Sequence, residues 1–352
     1  MGFVPGFCPN EACDQHLQPE PDFFVRHGSF VAACHDEPVP RFRCRSCLRT
    51  FSTQTFRQDC WDRRPEVNDR VFELLVSGVG FRQSARMVKL GVAAIQQKAR
   101  KLADHAGWLH ENLSTRLPVG RSYVLDEEET YEQASIRTLT MPVLIEREHW
   151  FVVATDVGPT RRLAKAGSKR RAWQEHEERK HGRRPDRSRE CVTTVLRALD
   201  RRLAGGKLVL ISDEKASYAK IASEVFGDRV VHETTAGSLP RTTYNPLFTI
   251  NTTLAMTRDN CGRLRRHSWL VSKKAECLRR QMHLFAVYRN YVRVRFNRDR
   301  AKESPATKLN LIPRNLTVPD AIRWRQDWGL RSIHPLCLDG SRSIGAPVAA
   351  PA

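Results

Sequence analysis

Two sets of residues in this chain have the types and spacing to do chemistry. The first is sulfur. Cys8 and Cys13 are separated by four residues, and Cys44 and Cys47 by two. Thiolate pairs at these spacings close a tetrahedral zinc(II) shell, and four protein ligands leave no open position, so such a metal organises structure and performs no reaction. Unrelated buried thiols are common in cores, but the paired spacing favours metal. Cys34-His35 offers an alternative ligand and Cys60 stands apart, while Arg43, Arg45 and Arg49 charge the second pair's surroundings. The second set is acidic. Asp126 ends a short apolar run and is followed by Glu127, Glu128 and Glu129; Asp213 ends another run, Lys207 to Asp213. An aspartate at a strand end often merely faces solvent. Two carboxylates held close together repel unless a divalent cation lies between them, and magnesium or manganese in such a place serves phosphodiester chemistry.

Whether those acids meet depends on the elements that carry them. Tyr123 to Asp126, Thr138 to Ile145 and Trp150 to Ala154 read as an antiparallel meander. A helix over 191–204, the Lys207–Asp213 strand, a helix over 215–225 and a strand from Arg229 to His232 follow. Three antiparallel strands, a helix, then a strand ending in Asp is the order of an RNase H-like domain. In that fold the first and fourth strands are neighbours, which would bring Asp126 to Asp213. Before it, Val67, Val71, Leu74 and Leu75 share one helical face, Phe81 to Val88 makes a second helix, and Ala93 to Leu102 a third after a turn at Lys89–Val92. That pattern predicts a helix-turn-helix, with Gln96 and Gln97 as adenine readers and Lys98, Arg100 and Lys101 at phosphates. The fold expected is mixed α/β: zinc ribbon 1–58, helix-turn-helix 59–118, RNase H-like domain 119–310, tail 311–352.

Charge points to the partner. The 352 residues carry 59 Lys+Arg against 39 Asp+Glu, a formal net charge of +20, which favours a polyanion and excludes an acidic interaction module. Residues 161–190 hold 12 basic against 5 acidic residues and read as an exposed arm inserted in the large domain. Residues 258–303 hold 14 against 4, where a solvated face would mix signs, so Arg258, Arg265, Arg266 and Lys273 are expected on a DNA backbone. Tyr288, Tyr291 and Trp269 read as core residues. No apolar run is long enough to span a bilayer and no secretory leader is visible, so a cytoplasmic, nucleoid-associated protein is expected.

The layout resembles bacterial insertion-sequence transposases of the DDE class, the IS-one-like group. The matching pieces are Cys8, Cys13 and Cys44-x2-Cys47 with Thr50-Phe51, Leu125-Asp126-Glu127, and Ser212-Asp213-Glu214-Lys215-Ala216-Ser217-Tyr218. A longer block runs from Ile250-Asn251 through Arg258 and Arg263-Leu264-Arg265-Arg266 to Ser272-Lys273. The resemblance implies structural zinc, catalytic magnesium or manganese, and cutting and joining of element ends and target in double-stranded DNA. It also implies a homodimer or higher synaptic oligomer. One departure matters: the family's third acid is replaced by Asn251, whose carbonyl oxygen can ligate a cation but carries no charge. The reading is therefore a D-D-N transposase with Asp126, Asp213 and Asn251 at its centre. Its alternatives are a catalytically inactive DNA-binding relative and a nuclease that cuts without joining.

Overall fold

The computed structural model describes residues 3–31, 37–115, 117–203, 205–240, 242–265 and 269–325. After a one-turn helix, α1 (Asp14–Leu17), three strands, β1 (Phe24–Phe30), β2 (Val39–Cys44) and β3 (Thr50–Ser52), form an antiparallel sheet in the order β1-β2-β3. Its core is small: Phe23, Phe42, Phe51 and Phe56 with Cys8, Cys13 and Cys44. So few apolar side chains bury little area, and a module of this size ordinarily needs a covalent or metal staple. Cys34 and His35 lie outside the described residues.

Three helices follow, α2 (Asn68–Val76), α3 (Phe81–Val88) and α4 (Val92–Leu113). The turn before α4 sits where the sequence put it, with Lys89 in the left-handed region at φ 53. The third helix does not stop at Leu102; it continues to Leu113. Gly107, His105 and His110 interrupt the apolar period there, but each has a packing reason. A Cβ at Gly107 would lie 2.6 Å from the His283 ring, so only glycine admits that contact. The two buried imidazoles bond to the Ala321 and Val153 carbonyls, each at 2.9 Å.

Lys98 is a correction. It was expected at DNA phosphates, yet it is 6% exposed. Its ammonium donates to both Asp62 oxygens at 2.7 and 2.6 Å, to the Arg64 carbonyl at 2.7 Å and to Asn68 at 2.8 Å. Burial alone would raise the Asp62 carboxyl, but the Lys98, Arg64 and Asn68 hydrogen bonds hold it below its ordinary value. The stability this adds is present at neutral pH and lost as pH falls through that lowered value. Lys98→Met is expected to destabilise the chain by about 3–5 kcal/mol in urea unfolding at pH 7, because it strands a buried carboxylate. A loss under 1 kcal/mol would show that Asp62 finds water instead.

The remaining chain builds a larger sheet. β4 (Ser122–Tyr131), β5 (Thr138–Glu146), β6 (Val152–Thr155) and the two-residue β7 (Gly158–Pro159) lead to α5 (Lys169–His181) and α6 (Ser188–Arg202). Then come β8 (Leu208–Asp213), α7 (Ala216–Phe226), β9 (Val230–Thr235), α8 (Phe248–Asn260), α9 (Ala275–Val287), α10 (Pro305–Lys308) and α11 (Val318–Arg323). The strand order is β6-β5-β4-β8-β9, with β7 beside β5. β4–β5 and β5–β6 are antiparallel, while β4–β8 and β8–β9 are parallel. The fold is mixed α/β. Alternation along each strand sends side chains to two cores. Tyr123, Leu125 and Leu210 face one shared with α2, α4, α6 and α7; Val124, Val143 and Ile211 face another with α8 and α9.

Three further expectations change. Residues 161–190 are largely exposed, as expected, but contain a helix, α5, and are pinned by ion pairs: Arg161 pairs with Glu178 at 2.7 Å, Arg137 with Glu177 at 3.1 Å, and Arg184 with Glu132 at 3.2 Å. The acids spaced among those arginines close the segment onto the sheet. The chain beyond Leu311 is not all tail, because Val318, Ala321, Ile322 and Trp324 enter the first core; residues 326–352, including Trp328, lie outside the described residues. Trp269 is not core but 97% exposed, whereas Tyr291 is buried. Among the described residues no helix is long and apolar enough to cross a membrane.

Candidate functional site

The acidic site is built by register. Ser122–Val209, Tyr123–Leu210 and Val124–Ile211 pair in parallel with one constant offset. Carried two residues further, that offset sets Asp126 beside Asp213. Both fall on the face that Val124 and Ile211 occupy, since side chains repeat every second residue. That face is covered by α8, and Asn251 lies in its first half. Asp126, Asp213 and Asn251 accordingly line one cavity of about 670 Å³, together with Glu128 and Arg258.

Burial and like charge dominate the electrostatics of this cavity. Burial pushes the Asp126 carboxyl up to about 6; the Glu127 backbone N–H opposes that, and Asp213, Glu127 and Glu128 add repulsion. Asp126 accepts the Glu127 N–H at 2.7 Å, and Asp213 accepts the Lys215 N–H at 3.1 Å, so each carboxylate is aimed by the backbone that follows it. Two anionic oxygen donors and a neutral amide oxygen in one cleft are the donor set a hard divalent cation takes.

Arg258 reaches this cavity, but its guanidinium is already bonded to Glu128, which is 8% exposed. Its charge is therefore spent inside the site rather than offered whole to a phosphate. One role was not anticipated. Glu127 points to the opposite face and accepts hydrogen bonds from Thr140 at 2.6 Å, Ser188 at 2.8 Å, Tyr218 at 2.7 Å and the Lys215 ammonium. Burial would raise its carboxyl, but the Lys215, Thr140 and Tyr218 bonds outweigh that and lower it. It is a tether that fixes β4 to α6 and the start of α7, one residue from Asp126. The run of four acids signalled it; which acid faces which way follows only from the register.

The cysteines meet as well. Cys8 and Cys47 sulfurs are 3.6 Å apart, Cys13 and Cys44 sulfurs 3.8 Å, and all four lie within 4.8 Å of one another. Four sulfurs about 2.3 Å from a tetrahedral zinc would lie about 3.8 Å apart, so the separations fit a structural zinc site. Burial pushes the Cys8 and Cys13 thiols up; for Cys47 burial is outweighed by the Arg49 backbone and Asn10 hydrogen bonds, which bring it to about 7.

Of the remaining DNA-contact candidates, Gln96, Gln97 and Arg100 are exposed at the start of α4. Lys101 is half-buried with its ammonium on the Cys60 carbonyl. Arg265 and Lys273 are exposed, and Arg266 lies outside the described residues.

No family model matches the chain. Over 71 residues, 20% of this chain and 69% of the relative, it is 36% identical to the insertion element iso-IS1N protein InsA of Shigella dysenteriae.

Proposed function

This chain belongs to the family of the insertion-element protein InsA, and on that premise we propose that it is a DNA transposase. In this reading a zinc ribbon and a helix-turn-helix bind element ends, and an RNase H-like domain cuts and joins DNA with magnesium or manganese. The sheet order and the cysteine geometry support the fold reading. The observation that carries the activity is the meeting of Asp126 and Asp213 on the face covered by Asn251.

Each residue then has one task. Asp126 and Asp213 would hold divalent cations through anionic oxygens, and Asn251 would add a neutral one. Bound magnesium or manganese supplies charge neutralisation and activates the attacking oxygen in phosphodiester chemistry. Glu128 keeps Arg258 beside the scissile position, and Glu127 keeps the strand carrying Asp126 from shifting. Gln96 and Gln97 read bases from the exposed side of α4, with Arg100 on phosphate.

A second reading, a catalytically inactive DNA-binding relative, is favoured by Asn251 standing where the family's third acid is expected. Nicking of an end-containing duplex that depends on added magnesium or manganese separates the two, and joined products separate a transposase from a nuclease. No cleavage with any divalent metal would overturn the proposal. Asn251→Asp is expected to keep cleavage or raise it up to about tenfold, since it adds a charged ligand; complete loss in a folded variant would remove position 251 from the site.

A further inference from the structure

Away from the carboxylate cavity lies a groove of about 770 Å³, formed by Met256 of α8 and the segment after the π-helical turn Tyr288–Val292. Its lining holds Arg293, Arg295, Arg298 and Arg300 against one acid, Asp299. That acid is already engaged, accepting from Arg295 at 3.2 Å and pairing with Lys308 at 3.1 Å. Among the described residues Arg293, Arg298 and Arg300 have no carboxylate partner. Arg289, close enough to Arg293 and Arg295 to be repelled by both, is 1% exposed and lies outside the groove's lining; it reaches the Val294 carbonyl at 3.4 Å, and its Nε and Nη2 have no hydrogen-bond partner. A buried guanidinium with two unmet donors is costly unless an anion completes it. Burial, with repulsion from Arg293 and Arg295, pushes it down to about 10.

The groove is anchored to the large sheet. Arg295 donates to the Glu148 carbonyl at 3.0 Å, and the Phe296 ring meets Trp150 edge-on at 4.5 Å. That turn is tied to the start of β4, where the Arg147 N–H donates to Ser122 at 3.0 Å. Ser122 precedes Asp126 by four residues, roughly 13 Å of strand, a length about four base pairs of B-form DNA cover.

We infer that this groove clamps the phosphodiester backbone of double-stranded DNA at a place separate from the carboxylates. The inference rests on the DNA-binding half of the proposed function and not on catalysis. One-signed guanidinium charge without a carboxylate partner suits phosphate oxygens, which arginine takes in fork geometry.

Binding of a 30-base-pair duplex to the full chain, without added magnesium or manganese, tests it. The triple variant Arg293→Ala, Arg298→Ala, Arg300→Ala is expected to bind about 10- to 100-fold more weakly, with a salt slope lower by roughly 2–3. A control triple of equal charge loss, Arg197→Ala, Arg201→Ala, Lys220→Ala, is expected to change both much less. Arg289→Met should melt no lower than wild type without DNA, yet gain less stabilisation when duplex is added. Wild-type affinity and slope in the groove triple would overturn the inference alone, as would equal losses in both triples or full stabilisation of Arg289→Met by duplex. A wild-type chain that binds no duplex would overturn it together with the proposed function.

Discussion

Asp126→Asn and Asp213→Asn should each cut an end-containing duplex at least about a thousandfold more slowly than wild type, with duplex binding unchanged. The size follows from the role: removing an anionic cation ligand forfeits several kcal/mol of transition-state stabilisation, and each 1.36 kcal/mol is a factor of ten. Asparagine keeps the shape and loses the charge, so the fold should stand. The expected stability change even has the opposite sign. Asp126, with its carboxyl raised to about 6, is destabilising when ionised: it binds its proton more tightly folded than unfolded, and stability falls as pH rises toward that value. Without added metal at pH 7, Asp126→Asn should therefore melt at or above the wild-type temperature while failing to cut. Cleavage at wild-type rates in both variants would remove the carboxylate pair from the mechanism. Lost cleavage with lost folding would be uninformative for one substitution alone, which is why the melting measurement belongs with the rate.

The parts of this site that were legible in the sequence are those where period and punctuation agree. Lys207–Asp213 reads as a strand because its apolar run ends in an acid; the same cue ends the first strand too early, since β4 continues through Asp126 to Tyr131, yet the pairing still places both acids on one sheet face. Alternation then assigns Glu128 to Asp126's side and Glu127 to the other. What Glu127 does there was not legible, because Ser188 and Tyr218 approach it only in the folded chain. Distance along the chain hid Lys98 for the same reason: its partner Asp62 is 36 residues away, and an isolated lysine beside two glutamines looks like a DNA contact. The basic segment 161–190 misled through its net charge. Glu177 and Glu178 are few, but each meets an arginine outside α5, and position rather than sum decides whether a charged segment docks. In the N-terminal module no single strand was assigned, since β1 buries no side chain and β2 only three, so the cysteines and not a hydrophobic period define them.

That module gives the second large effect. Cys44→Ser should abolish zinc binding by the four-sulfur cluster and unfold β1, β2 and β3 while the large sheet stays folded. Structural zinc supplies roughly 10–16 kcal/mol to small zinc modules, far more than a core of four phenylalanines can replace. The remainder should survive because its two apolar cores contain no residue of the module. Arg325 reaches the Phe3 ring, its guanidinium carbon 4.7 Å from the ring centre, but no module residue enters either core. Hydrogen exchange should then show amides of β2 and β3 exposed while those of β4 and β8 remain protected, and duplex binding should weaken without any change at the carboxylates. Cys60→Ser is the matched control. Cys60 lies outside the sulfur cluster, so its loss should leave one zinc per chain and an unchanged melt. A Cys44→Ser chain that retains one tightly held zinc and a protected β2–β3 ladder would mean that three sulfurs suffice, and that the fourth position is open to water.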